Sequence, residues 1–158
     1  MGHPDFAYGG AAVLVELHER HLEEFHEVWL EADRFGVELP PTSDPNYASR
    51  ATLLAHVLGC ATRYLSWICQ QLGLPEPEIE EYPDPDGLTG RSRDYLEEVL
   101  AAWRPALVSL TEERAYAPAH PARWGTPYCI DAMLEHAVMH PIRHTHQLRR
   151  LLEQQAPA

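Results

Sequence analysis

The chain has no lysine: all twelve of its basic residues are arginines, and they face 24 acidic residues, for a formal net charge of −12. So acidic a balance repels phosphate backbones at long range and argues against general nucleic-acid binding. Cysteine is also scarce. Cys60, Cys69 and Cys129 are odd in number and none stands in a CxxC spacing, which argues against a disulfide framework and against a cysteine-based zinc finger. No apolar run approaches the roughly 20 residues that cross a bilayer. The opening Met-Gly-His-Pro-Asp-Phe lacks the basic and apolar regions of a cleaved signal, so cytoplasmic residence is the expectation. No long stretch alternates polar and apolar residues with period two, so no sizeable sheet is expected.

What remains is an ordinary globular composition in 158 residues, 45% apolar and 23% charged, long enough to bury one core in a single domain spanning 1–158. Proline and glycine cluster from Gly36 to Pro45, from Gly73 to Gly90 and from Pro118 to Pro127. Between these breaks lie four amphipathic stretches. The first predicted helix runs from about Ala11 to Phe35 with a stripe of Leu14, Leu17, Phe25, Val28, Ala32 and Phe35. The second runs from about Tyr47 to Leu72, with Asn46 or Ser49 as its cap and Leu53, Val57, Cys60, Tyr64, Ile68 and Leu72 on one face. The third runs from about Thr89 to Thr111 over Leu96, Val99, Leu100, Trp103, Leu107 and Leu110. The fourth runs from about Tyr128 to Gln155 over Ile130, Met133, Ala137, Leu148 and Leu151. This pattern predicts an all-α four-helix bundle. Its connections exceed those of tight helical hairpins, so at least one is expected to cross over the bundle end.

The unusual abundance is of histidine, with ten in the chain. On the fourth helix the core stripe passes from Met133 through Ala137, His140 and His144 to Leu148, so two histidines stand where a bundle wants Leu or Ile. A buried imidazole with unmet nitrogens costs roughly 1–3 kcal/mol per group. His140 and His144 lie one turn apart, about 40° round and about 6 Å along the axis, close enough to converge on one ion. His56, on the apolar side of the second helix between Leu53 and Cys60, is the third candidate ligand. Bundles build metal sites from side chains on facing helices in this way. Three neutral imidazoles suit one divalent transition metal such as zinc, nickel, copper or ferrous iron. Three protein ligands leave a position open for water or substrate.

The other histidines divide by position. His136 lies about 80° round from His144 and reads as a rim residue, and His146, about 200° round, faces away. His21 reads as a hydrogen-bonded core residue; His3, His26 and His120 read as surface residues. Cys60, one turn after His56, reads as a small buried side chain. Pro141 removes one helical hydrogen bond beside His140, so a kink or local widening is expected there. Trp124, Gly125, Tyr128, Tyr64 and Trp67 are placed to line the mouth of the site.

The segments Leu53-Leu54-Ala55-His56-Val57-Leu58-Gly59 and Glu135-His136-Ala137-Val138-Met139-His140-Pro141-Ile142-Arg143-His144-Thr145-His146-Gln147-Leu148 resemble the DinB/YfiT-like family of four-helix metalloproteins. The likeness covers nearly the whole chain in element order and length. In that family a second-helix histidine joins an HxxxH pair whose last member is usually followed by Arg-Gly-Gln and an aliphatic residue. Here Thr145-His146 replaces the Arg-Gly, and Gln147-Leu148 keeps the rest.

The resemblance implies a crossover bundle, a divalent ion on the three histidines, and a homodimer. Family members are similar to metal-dependent hydrolases, thiol-dependent S-transferases and maleylpyruvate isomerases that use a low-molecular-weight thiol. A metal-dependent enzyme acting on a small-molecule substrate, by thiol transfer or hydrolysis, is therefore one expectation. The absence of HExxH and of an evident core Glu tilts it toward thiol transfer. The other expectation is a non-catalytic, stress-linked bundle with a structural metal or none, meeting basic partners through the acidic stretch from Glu76 to Asp86.

Overall fold

A computed structural model describes residues 6–155; His3 lies outside them. Among the described residues there are six α-helices and one two-stranded ribbon, so the protein is all-α in class. Among these residues no helix is long and apolar enough to cross a membrane.

Helix α1 spans Gly9–Arg34. Its buried face carries Val15, His18, Leu22, Phe25, Trp29 and Ala32 at steps of three and four. The expected stripe is thus turned slightly: Leu14 and Leu17 are only half-buried and Phe35 is 43% exposed. Leu22 and Trp29, absent from the predicted stripe, are at its centre.

A single 3₁₀ turn, Pro45–Tyr47, follows and is capped by Asp44. Helix α2 then spans Arg50–Leu72, beginning three residues later than predicted because Ser49 is extended. Of the two candidate caps it is Ser49 that serves. Its hydroxyl accepts from the Thr52 amide while the Thr52 hydroxyl accepts from the Ser49 amide, a reciprocal capping box. Gly73, at φ 68°, ends the helix in the left-handed conformation that glycine adopts without strain.

The predicted third helix is shorter than expected. A turn of helix, α3 (Pro85–Thr89), precedes α4 (Ser92–Leu107), and a further short helix, α5 (Glu112–Tyr116), follows. Asp84 and Thr111 cap these short pieces, which flank the predicted helix and were not expected from the apolar periodicity. Strands β1 (His120–Pro121) and β2 (Pro127–Tyr128) pair antiparallel, His120 opposite Tyr128. They are too short to show period-two alternation. Helix α6 spans Ile130–Gln155 and runs unbroken through Pro141, with the Thr145 hydroxyl donating to the Pro141 carbonyl at 2.8 Å.

Helix α1 lies along α6, α2 packs on α6, and α4 packs on α1 and α2. The four long helices share one core, in which Phe25, Trp29, Tyr95 and Trp103 are the largest fully buried side chains. Polar ties fix the register. The Trp29 indole donates to the Arg50 carbonyl at 2.8 Å, anchoring the start of α2 to α1. The Tyr95 hydroxyl donates to the Glu80 carbonyl at 2.6 Å, holding the loop after α2 against α4. That loop also presses on α2 itself. Gly59 lies in the helix interior, where glycine costs about 1 kcal/mol relative to alanine. A methyl group in its place would lie 3.0 Å from the Glu81 carbonyl and 3.3 Å from Pro83.

Candidate metal centre

Helix packing brings together the three histidines singled out in the sequence. One nitrogen from each of His56, His140 and His144 lies within 4.8 Å of the other two. The ring centres of His140 are 4.8 Å from those of both His56 and His144, and His56 and His144 are 5.5 Å apart. His140 and His144 are buried and His56 is half-buried. The pair on α6 follows from its spacing; His56 joins it because α2 docks against α6.

The arrangement fits an ion. A tetrahedral metal with nitrogen ligands at about 2.0–2.1 Å sets those nitrogens about 3.3–3.4 Å apart. His140 Nε2 and His56 Nε2 already stand 3.1 Å apart. Outer partners orient the rings. Gln147 Oε1 accepts from His144 Nδ1 at 2.9 Å, which leaves Nε2 with the lone pair. His56 Nδ1 faces the Cys60 sulfur at 3.8 Å, and Arg63 Nη2 donates to that sulfur at 3.1 Å. Cys60 therefore sits beside a histidine of the cluster, with its sulfur held by Arg63.

Burial keeps all three imidazoles neutral. It is the main cause that pushes His140 down to about 2 and His56 down to about 4, with His144 the next cause in both. Burial also lowers His144, against the opposing bond to Gln147. Neutral imidazole is the form that ligates. Three clustered histidines that resist protonation therefore suit a cation better than they suit one another.

The cluster opens into a cavity of about 500 Å³. Tyr64, Trp67 and Trp124 line it, as expected; Gly125 and Tyr128 do not. Tyr47, an unforeseen wall, has its ring 5.6 Å from both His56 and His144. His136 is the predicted rim residue, stacked on Trp124 at 4.9 Å. Gln147, already noted in the motif after His144, also faces the cavity, as do Arg63, Arg123, Arg143 and Tyr82, which were not singled out. A signal for two of them existed: Arg63 follows His56, and Arg143 follows His136, by seven residues, two helical turns along the same face.

The remaining histidines stand apart. His21 bonds Glu24 at 3.0 Å on the flank of α1, and His146 is exposed. His26, expected at the surface, is buried at 3% exposure and bonds the Ser92 hydroxyl at 2.9 Å, because α4 docks over α1 at that point. His120, also expected at the surface, is half-buried with its ring 6.2 Å from that of Trp67. His18, unremarked in the sequence, is fully buried against Trp103 at 4.1 Å.

No family model matches the chain, and no curated protein or solved structure matches it. The reading of the centre therefore rests on its own residues.

Proposed function

We propose that this protein is a four-helix metalloprotein of the DinB/YfiT-like kind, with one divalent zinc, nickel or iron ion on His56, His140 and His144 and an enzymatic role on a small-molecule substrate. The observation that carries this is the convergence of three neutral histidine nitrogens within 4.8 Å at the wall of a cavity. When bound, such an ion supplies Lewis acidity and lowers the pKa of a water or a low-molecular-weight thiol at its open position.

The protein's residues supply the rest. Gln147 holds one ring in orientation, Cys60 sits beside another, and Tyr47, Tyr64 and Trp124 wall the space beside them. Among the described residues no Asp or Glu lines the cavity, so hydrolysis would lack a carboxylate base to take a proton from water. Thiol transfer needs no such base and is the favoured reaction. Two of the six acids in the stretch offered to a basic partner are paired within the chain, Glu80 with Arg91 and Glu81 with Arg123. A cytoplasmic homodimer without nucleic-acid partners completes the proposal.

Metal analysis after refolding with zinc, nickel or iron tests it. About one ion per chain is expected for the native sequence and none for His140→Ala, which removes one of three ligands. A chain that takes up no ion from any of the three overturns the proposal. In cobalt-loaded protein, imidazole or a thiol should perturb the visible spectrum; an unresponsive spectrum identifies a closed, structural site.

A further inference from the structure

The cavity has a cationic wall that none of the roles above uses. Three of its lining residues are Arg63, Arg123 and Arg143, and none is acidic. Two of these arginines are committed. Arg63 donates to the Glu81 carbonyl and the Cys60 sulfur and lies over the Tyr82 ring at 4.5 Å. Arg123 grips both carboxylate oxygens of Glu81, at 3.1 and 3.2 Å. Arg143 has no hydrogen bond or ion pair among the described residues.

Three guanidinium groups against the carboxylate of Glu81 and, from farther off, that of Asp44 leave this cavity net positive, in a chain whose overall charge is −12. Asp44 acts on His56 and Tyr47 from outside the lining. Arg143 immediately precedes His144, and its charge acts on all three clustered histidines and on His136. An unpaired guanidinium beside buried neutral imidazoles, in a cleft with aromatic walls, is a strong local attractor for an anion. Its planar fork matches a carboxylate with two parallel hydrogen bonds. Tyr64 and Trp124 offer apolar contact for the organic part of a ligand.

We propose that the cavity takes a small organic carboxylate, whose charged group is received by Arg143 while its remainder faces His56, His140 and His144. This rests on the assignment of the three histidines as the working centre. It adds the class of molecule that reaches them. The general field of the protein repels anions, so the selectivity is local and salt-sensitive.

Benzoate and benzamide, alike in shape and differing in charge, are the probes. Each is titrated by calorimetry into zinc-loaded and metal-stripped protein, with native Arg143, Arg143→Gln and Arg143→Lys. Benzoate should bind at least about tenfold tighter than benzamide, in the stripped protein as well, where it cannot gain affinity by ligating zinc. Arg143→Gln should erase that preference and Arg143→Lys keep part of it. Arg143 is exposed, so unchanged melting and zinc uptake are expected of both variants and show that they fold. Equal affinities for the two probes, no benzoate binding at millimolar concentration, or an undiminished preference in Arg143→Gln overturns the proposal. Zinc uptake separates the two readings. A native chain that prefers benzoate but takes up no zinc loses the metal and keeps the carboxylate site; one that takes up zinc with no such preference does the reverse.

Discussion

His18 shows what a buried imidazole costs when nothing ligates it. Both of its ring nitrogens and the neighbouring Trp103 indole nitrogen are buried without a hydrogen-bond partner among the described residues. Burial, with a smaller contribution from His21, lowers its pKa to about 3. An unfolded chain protonates this residue below about 6.5, whereas the folded one does so only near 3. Between those values the unfolded state holds one more proton, so stability falls as pH falls, by about 1.4 kcal/mol per pH unit from this residue. His18→Leu should remove that slope and flatten the acid side of the stability profile, as read from urea midpoints at pH 7, 6 and 5. An unchanged slope would show that His18 is protonated in the folded state. His18 and the His140–His144 pair sit alike on apolar helical faces, and only the pair was legible as a site. Two histidines four residues apart announce convergence, whereas a single one does not say whether a partner faces it. Arg143 was legible only in part: its spacing from His136 puts it along the same face, but the proposed role depends on what the cavity beside it lacks, and an absent carboxylate leaves no mark in a local pattern.

At the level of elements, periodicity misplaced helix boundaries by a few residues, at capped ends and uncapped ones alike. The start of α2 is held by the Ser49–Thr52 box, and the apolar pattern alone would have begun the helix at Tyr47. Ser49→Ala should cost about 1 kcal/mol in a denaturant titration. His56 lies nearly two turns inside the helix, anchored by buried neighbours Leu53, Leu54 and Val57, so metal uptake by this variant should be unchanged. Reduced uptake would mean that fraying of the first turn reaches the ligand. The long helices were legible because each carries several turns of apolar spacing. The short flanking helices α3 and α5 were not, because each is a single turn capped by one side chain, Asp84 or Thr111, and carries too few residues for an apolar period. The docking of α2 on α6, which decides whether His56 reaches the pair, belongs to long-range packing and could only be proposed from the pattern.

For the molecule as a whole, His56 and His140 are 84 residues apart in the chain. An ion held between them selects the folded state alone, so it stabilises by mass action. Zinc at about 100 times its dissociation constant adds about 2.7 kcal/mol. For a chain of this length that corresponds to a rise in melting temperature of roughly 5–10 °C. The rise should appear in scanning calorimetry of the native protein and be absent in His140→Ala. A native melting point indifferent to zinc would count against the site whatever the cluster geometry. A different consequence follows from Gly59, which does not line the cavity. The loop that carries Tyr82 to the cavity rests on α2 where Gly59 presents only hydrogen. The breadth of that opening is thus governed by a missing methyl group, one layer behind the surface a ligand meets. A methyl group there would lie 2.8 Å from the Arg63 guanidinium as well as against the Glu81 carbonyl, so a single change behind the wall would shift both the loop and one arginine of the cavity lining.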